Sequence, residues 1–377
     1  MQKRLWLVSL VLVSIVCPRA MLWSAEADQL GAASYEQVVA RAIGYLATQG
    51  QAEDGSFSSQ AGPAVTALVA SAVMRHGRTP SDPLVAKALK YLNQFVQPDG
   101  GIYRTDSLYA NYETSIAIVC LTQANADGRY TERVKKAEAF IKGLQWDEGE
   151  GKDASDAAYG GAGYGKSKRP DLSNTQIFME ALKAVGNDEN DEAVKRALTF
   201  VSRCQNLETE FNTTPFAAKN PDGGFYYTPA AGGASMAEAT PEGGLRSYGS
   251  MTYAGLKSMI YAGVSPDDPR IKAAVKWIGM HYDLTSNPGM GDAGLYYYYH
   301  TFAKALDAMK YDVFVDQQGV KHDWRAELRA ELARRQLPDG SWVNEADRWM
   351  EGDPSLVTGY ALLALAYCAP QPKADGQ

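Results

Sequence analysis

The sequence predicts an all-α fold, an (α/α)6 toroid in which six helical-hairpin repeats close into a ring around a central cavity. Three observations predict it: a recurrent Asp-Gly turn, an apolar helix with a shared threonine after each turn, and helix-ending residues at a fixed distance beyond that threonine. Repetition of this kind is typical of units that bury their apolar faces only against their neighbours. A chain of 377 residues with 45% hydrophobic residues is long enough and apolar enough for such a ring.

The turn is clearest in Gln336-Leu337-Pro338-Asp339-Gly340-Ser341-Trp342. Related turns occupy residues 54–57, 97–103 and 222–225, each with an Asp-Gly pair. Glycine accepts positive φ and aspartate bonds nearby backbone N–H groups, so the pair favours a tight turn. We expect the aromatic residue that follows to pack against adjacent helices. The pattern therefore indicates a structural role for these aspartates.

The helices after the turns align on a threonine. These are Thr66, Thr114, Thr175, Thr252, Thr301 and Thr358. Eleven residues beyond the first four of them are Gly77, Asn125, Gly186 and Gly263, which are residue types that end helices in the left-handed conformation. The first helix of each hairpin is amphipathic and the second is apolar around most of its circumference, which predicts six outer and six inner helices.

The N-terminus has the order of a secretory signal. Lys3 and Arg4 precede an apolar run at residues 5–17, and small residues follow up to Ala25-Glu26-Ala27. We therefore expect a cleaved signal peptide at residues 1–27, a single toroid domain at 35–369 and a C-terminal tail at 370–377. The mature chain is then secreted or in the periplasm or cell envelope, and it is not predicted to span a membrane; an uncleaved anchor is the alternative.

Charge and cysteine content exclude two further classes. The formal net charge is −7 and no basic stripe occurs, which argues against nucleic acid as a partner. Cys120, Cys204 and Cys368 all lie in apolar helical patterns. They are predicted to be buried thiols, because an odd number of cysteines in such positions does not indicate a disulfide framework.

With these turns and inner helices, residues 35–369 resemble the prenyltransferase and squalene-cyclase repeat superfamily. The resemblance implies a central cavity at the N-terminal ends of the inner helices, with the residues before each threonine around its mouth. Cyclases of the squalene–hopene type have Asp-x-Asp-Asp-Thr there, and the central acid protonates an alkene. The third hairpin has Asp171-Leu172-Ser173-Asn174-Thr175, with Ser173 in the position of the acid. Cyclisation of this type is therefore not expected.

The same resemblance implies where the zinc ligands of a protein prenyltransferase would lie. The matching positions are Gly249, Met251 and His300, of which only His300 is able to bind zinc. No metal site and no cofactor are predicted, and protein prenylation is not expected.

The candidate site residues precede the threonines by one, two or four positions. Glu113 and His300 are the candidates for catalysis, as an acid and a base, because neither is a favoured helix cap. The candidates for ligand binding are Asp171, Asn174, Tyr248, Tyr297 and Tyr299. The alternative is that these side chains cap helices or satisfy one another in the core. Helix N-termini at the mouth would favour an anionic group, and the long loops at 147–170 and 206–247 are predicted to form a lid, with disorder as the competing interpretation.

Three functions remain open on the sequence alone, and whether the chain is an enzyme is not decided. The first is binding of an elongated, hydrophobic, isoprenoid-like ligand in an apolar cavity beneath a polar mouth, which the resemblance favours. The second is a carbohydrate-active toroid similar to polysaccharide lyases, which requires an open groove with a base and either a basic side chain or a Ca²⁺ site. The third is a non-catalytic scaffold of the cell envelope, which predicts a filled centre.

Overall fold

The computed structural model describes residues 35–165 and 169–370, and within this part of the chain twelve α-helices form a ring. Helix α1 covers residues 35–45 and continues into a π turn at Leu46–Gly50. The other helices are α2 (Pro63–Arg75), α3 (Pro83–Leu92), α4 (Ala110–Gln123), α5 (Thr131–Lys142), α6 (Leu172–Ala184), α7 (Glu192–Arg203), α8 (Gly249–Tyr261), α9 (Pro269–Met280), α10 (Leu295–Ala308), α11 (Trp324–Arg335) and α12 (Pro354–Ala366). A short antiparallel pair, β1 (Phe314–Val315) and β2 (Lys321–His322), lies between α10 and α11. The predicted signal peptide and nearly all of the predicted tail fall outside the described residues.

The even-numbered helices form the inner layer of the ring. Each one packs against the next, and α12 packs against α2, so the inner layer is closed. Odd-numbered helices lie outside it, for example α3 against α2 and α7 against both α6 and α8. Helices α2 and α12 are buried along almost their whole length, whereas α7 buries only one face. The predicted fold class is therefore confirmed. No helix in the described residues is long and apolar enough to cross a membrane.

The Asp-Gly turn contacts the outer helix of the next hairpin. Gly340 has φ +95°, and a Cβ atom there would lie 2.4 Å from the carbonyl oxygen of Arg41. Asp339 Oδ1 accepts a hydrogen bond of 2.9 Å from the N–H two residues further on. Gln336 Nε2 donates to the carbonyl oxygens of Gly340 and Val38, both at 2.9 Å. Because Arg41 and Val38 belong to α1, the last turn closes the ring onto the first helix.

The structure contains a fifth copy of this turn, at residues 159–162, which the sequence analysis did not identify. Gly160 has φ +81°, and a Cβ atom there would lie 1.8 Å from the carbonyl oxygen of Arg196 in α7. Gln145 Nε2 donates to the carbonyl oxygens of Gly160 and Ala193, both at 2.9 Å. The copy was missed because a tyrosine, Tyr159, takes the place of the aspartate.

The shared threonine has a structural reason. In five hairpins its hydroxyl accepts a hydrogen bond of 2.9–3.2 Å from a backbone N–H of the preceding turn. In the fifth hairpin the predicted alignment on Thr301 is wrong, because its hydroxyl instead donates to carbonyl oxygens of its own helix. Tyr299 takes over the contact, and its hydroxyl donates to the carbonyl oxygen of Leu284 at 2.6 Å. We term these six residues the anchor residues. They are Thr66, Thr114, Thr175, Thr252, Tyr299 and Thr358.

The helix ends support this alignment. Gly77, Gly186 and Gly263 have positive φ eleven residues after their anchors, as predicted. Lys310, eleven residues after Tyr299, also adopts positive φ, +57°. Asn125 does not, and its side chain instead accepts a hydrogen bond of 2.7 Å from the N–H at position 130. The three predicted thiols, Cys120, Cys204 and Cys368, are buried and unpaired in the described part of the chain.

Candidate functional site

A cavity of about 360 Å³ opens at the N-terminal ends of the inner helices, and we term it the upper cavity. Every inner helix contributes to its wall the residue two positions before its anchor. These residues are Ala64, Tyr112, Ser173, Ser250, Tyr297 and Leu356. The N-termini of six helices thus surround one space. The centre of the ring is therefore open at this end, whereas the scaffold hypothesis predicts a filled centre.

The rest of the wall is mainly aromatic and methionine side chains. They are Tyr109, Tyr164, Tyr227, Met236, Tyr248, Met251, Trp349, Met350 and Tyr360. Tyr164, Tyr227 and Met236 come from the two long loops, so these loops form part of the cavity wall. Trp349 and Met350 adopt φ +59° and +67°, which is rare for bulky residues, and they are 45% and 40% exposed. The mouth therefore combines large apolar side chains with the exposed polar residues Gln60 and Arg104.

Four of the helix N-termini around the upper cavity are already capped by the following hairpin. The acceptors are the carbonyl oxygens of Tyr164, Tyr227 and Pro288 for α4, α6 and α8, and the carboxylate of Glu351 for α10, at 2.8–3.0 Å. Because these N–H groups already have partners, they do not favour an anionic ligand at the mouth. For these N–H groups the acceptor is supplied by the protein itself.

Glu113 faces the upper cavity, but its carboxylate is held by neighbouring backbone. Oε2 accepts a hydrogen bond of 2.8 Å from the N–H of Arg104, and Oε1 accepts one from the hydroxyl of Ser107. A Cβ atom on Gly62, the residue before α2, would lie 3.1 Å from Oε1. Burial raises the pKa of Glu113. The side chain fastens the start of α4 to the loop before it and lies against the start of α2.

His300 lies deeper in the ring than predicted. Counted from Tyr299 it follows the anchor by one residue, and it lines a second space instead of the upper cavity. Burial, followed by the nearby charge of Lys304, lowers the pKa of His300 well below its ordinary value. Since Glu113 and His300 line different spaces, the structure does not bring them together as an acid–base pair.

The ligand-binding candidates fall into two groups. Tyr248 and Tyr297 line the upper cavity. Asp171 caps α6 behind the wall, where its carboxylate accepts hydrogen bonds from the backbone N–H and side-chain amide of Asn174, at 2.9 and 2.8 Å. Burial raises the pKa of Asp171 to about 6. Tyr299 points away from the cavity as an anchor. Asp171 is therefore a helix cap to which Asn174 donates, and Tyr299 is part of the core.

The positions implied by the resemblance can also be placed. Ser173 faces the upper cavity, and its hydroxyl lies 3.2 Å from that of Tyr297. Gly249 faces away, since a Cβ atom there would lie 2.6 Å from Pro288. Met251 lines the upper cavity and His300 does not, so the three matching positions do not share one site. Among the described residues no cluster of three His, Cys, Asp or Glu side chains is arranged to hold a metal.

The second space, of about 50 Å³, lies below the upper cavity, and we term it the lower chamber. Tyr112, Tyr297 and Tyr360 line both spaces and lie between them. Five residues of its wall follow their anchors by five positions. These are Ser71, Val119, Glu180, Lys304 and Leu363.

Lys257 has the same position in α8 and contacts Glu180. None of the three charged residues, Glu180, Lys257 and Lys304, was predicted from the sequence. Alignment on Tyr299 would have placed all three at one position of three consecutive inner helices.

The sequence model of the squalene-hopene cyclase C-terminal domain matches residues 58–229. A solved structure of a variant of the type II terpene cyclase MstE from Scytonema, in complex with the product merosterolic acid A, has the same fold with a TM-score of 0.51. It is 14% identical over 91% of this chain and 99% of that chain. The chain therefore has an α/α-toroid fold, and its residues 58–229 are similar to the squalene-hopene cyclase C-terminal domain.

Two further solved structures are similar at lower TM-scores. A second MstE variant from Scytonema, in complex with the substrate geranylgeranyl dihydroxybenzoate, gives a TM-score of 0.33 and 13% identity over 91% of this chain and 99% of that chain. A protein from Actinoplanes gives a TM-score of 0.39 and 12% identity over 89% of this chain and 100% of that chain. No curated protein matches the sequence.

Proposed function

We propose that this toroid binds an elongated, isoprenoid-like molecule in its upper cavity. The proposal rests on the convergence of all six inner helices and both long loops on one largely aromatic and aliphatic wall. Its volume of about 360 Å³ falls within the roughly 300–1,000 Å³ of small-molecule pockets. Burial of apolar ligand surface there would supply the binding energy. The complex of MstE with merosterolic acid A supports this class of ligand.

We infer further that the ligand is held without protonation of an alkene. The position of the cyclase acid is Ser173, whose hydroxyl neighbours that of Tyr297. Burial raises the pKa of Tyr297, so neither hydroxyl is a strong acid. The two carboxyl groups that face the cavity, Glu113 and Glu351, accept hydrogen bonds from backbone N–H groups. Binding, transport or a different reaction of the ligand is consistent with this wall.

The test combines identification and titration of ligands. Mass spectrometry of an organic extract of the purified protein should find an isoprenoid lipid. Farnesol and geranylgeraniol should change the tryptophan fluorescence on titration, since Trp349 lies at the rim. Ala61→Phe, which fills part of the cavity, should weaken binding about tenfold, because displacing two methylene groups costs about 1.6 kcal/mol.

Ala86→Phe is the matched control, since Ala86 is exposed on the outer helix α3. Its affinity for both alcohols should equal that of the wild type. A bound oligosaccharide in an aqueous extract, or no response to either alcohol, would contradict the proposal.

We also propose that the protein is exported and that residues 1–27 are removed, which the order of basic, apolar and small residues supports. N-terminal sequencing of protein from the cell envelope or medium should then begin after Ala27. Recovery of the chain with residues 1–27 attached would contradict this proposal.

A further inference from the structure

The lower chamber holds more positive than negative charge. Glu180 accepts hydrogen bonds from Lys257 on one carboxylate oxygen and from Lys304 on the other. The Lys257 side chain is fully buried, and those of Lys304 and Glu180 are only 8% and 10% exposed. Glu180 is the one carboxylate among the described residues that line the chamber. Two buried cations thus share one buried anion, which leaves one positive charge without compensation.

Such a charge is strongly unfavourable unless an opposite charge or further hydrogen bonds satisfy it. Lys257 has a second acceptor, the amide oxygen of Gln176. In the described part of the chain Lys304 has Glu180 as its single acceptor, although an ammonium group carries three donors. Lys304 lines the chamber, so its remaining donors belong to the wall of that space.

Two further polar atoms of the chamber wall are unsatisfied among the described residues. They are Ser71 Oγ and His300 Nδ1. Both residues are buried, with 3% and 9% exposure, and both line the chamber. Buried polar atoms in folded proteins nearly always have partners, so unsatisfied atoms beside an excess of positive charge indicate a missing acceptor.

The chamber is reachable from the end of the ring opposite to the upper cavity. Arg75, the last residue of α2, lines it and is exposed, with its guanidinium donating to the hydroxyl of Tyr367 at 3.2 Å. One water molecule needs roughly 10–15 Å³ of such space, so about 50 Å³ accommodates a small ion or a ligand head group.

We propose that the lower chamber binds an oxyanion, a carboxylate or phosphate group, with Lys304 and Arg75 supplying charge and Ser71 and His300 supplying hydrogen-bond donors. Two sources have this chemistry. One is a free anion that passes Arg75. The other is the polar head of a ligand whose apolar part lies in the upper cavity, in which case this inference rests on the proposed function.

Thermal unfolding of the whole protein at constant ionic strength tests the site, with inorganic phosphate, acetate and geranyl phosphate as probes. Each probe that binds should raise the unfolding temperature in a saturable way, because a ligand of the folded state stabilises it. Lys304→Met should weaken the affinity about tenfold or more, since it removes a charge-assisted hydrogen bond in a buried site. Without a probe, this variant should be at least as stable as the wild type, because the remaining pair is neutral.

Lys183→Met is the control, because Lys183 is an exposed lysine of α6 and its loss changes the net charge equally. Ser71→Ala is the second variant and should fold normally. It should weaken the affinity about fivefold if its hydroxyl donates to the anion, and leave it unchanged if the hydroxyl faces only water.

Stabilisation by phosphate or acetate that Lys304→Met removes would assign the site to a free anion. Stabilisation by geranyl phosphate alone, again removed by Lys304→Met, would assign it to a ligand head. No response to any probe, or an equal response of wild type and Lys304→Met, would overturn the proposal. The titration with uncharged prenyl alcohols tests the upper cavity separately, so its outcome does not depend on any of these results.

Discussion

Replacement of Glu180 by glutamine should destabilise the protein by about 3–5 kcal/mol near neutral pH, the cost of leaving a buried charge without its partner. Glutamine has nearly the same size, so the packing of α6 is preserved and the change acts on charge. It leaves Lys257 and Lys304 buried without an anion. The buried positive charge of a lysine can then be removed only by loss of a proton. From the ordinary pKa of 10.5 this costs about 5 kcal/mol for one lysine near pH 7, which sets the upper end of the range.

The same reasoning fixes the sign of the pH dependence. An unpaired buried lysine has a lower pKa in the folded than in the unfolded state, so the folded variant binds fewer protons and its stability rises with pH. In the wild type, burial lowers the pKa of Lys257 to about 8, and proton loss begins only near that pH. The difference between Glu180→Gln and the wild type should therefore narrow by about 1 kcal/mol per pH unit up to about pH 8.

Urea denaturation followed by far-ultraviolet circular dichroism across this pH range measures both quantities. Glu192→Gln is the control, because its ion pair with Lys195 is exposed, with 70% and 52% of the two side chains accessible. An exposed pair contributes less than about 1 kcal/mol. A loss below about 1 kcal/mol in Glu180→Gln, or a difference that does not change with pH, would refute the account of the lower chamber as a site with excess positive charge.

Three further outcomes are expected. Gly160→Ala should lower the free energy of unfolding by about 2 kcal/mol or more, since its Cβ would overlap a carbonyl oxygen of α7. Gly151→Ala is the control, because Gly151 also has positive φ but faces open space, and it should cost about 1 kcal/mol. Chemical denaturation measures both free energies. Thr175→Val should cost about 1–3 kcal/mol in the same assay because it leaves a buried N–H unpaired, and Thr301→Val should cost less, since its hydroxyl accepts no such bond. Burial raises the pKa of the Cys120 thiol to about 12, so iodoacetamide should label it only after unfolding, which peptide mass spectrometry will show.

The ring was predictable because its turns are encoded locally. Asp339-Gly340 and its copies need glycine for positive φ and for close approach to a neighbouring backbone, so the same residues recur wherever that geometry recurs. The helix ends at Gly77 and Gly263 follow the same logic. The copy at Gly160 was not predicted because the residue before this glycine is a tyrosine instead of an aspartate. The turn geometry requires the glycine but not the aspartate.

The site was harder to predict because it depends on rotation about each helix axis. In the fifth hairpin the hydroxyl that anchors the helix belongs to Tyr299, and a tyrosine does not resemble a threonine in a sequence. Alignment on Thr301 shifted every assignment in α10 by two positions. This error placed His300 at the mouth and directed Tyr299 into the cavity.

The charges of the lower chamber were missed for a different reason. Lys257 is the single charged residue of α8, and Glu180 shares α6 only with the exposed Lys183, so neither helix shows a periodic pattern of charge. Only the correct alignment of three helices shows that they share one level with Lys304. Asp171 and Asn174 illustrate the opposite case, in which a conspicuous polar pair lies behind the wall and the two side chains bond to each other.

The contact of the last turn with α1 also means that the ring closes between its last and first hairpins through the same contacts as elsewhere. Gln336 donates a hydrogen bond to the carbonyl oxygen of Val38, as Gln145 does to that of Ala193. The contact between the last and first hairpins is therefore of the same kind as the contact between two internal hairpins. Tyr35 near the start of α1 donates to the carbonyl oxygen of Leu365 near the end of α12 at 3.3 Å, which leaves only a short gap to bridge. A circular permutant with that gap joined and new termini in the exposed connection after α4 would keep the whole architecture.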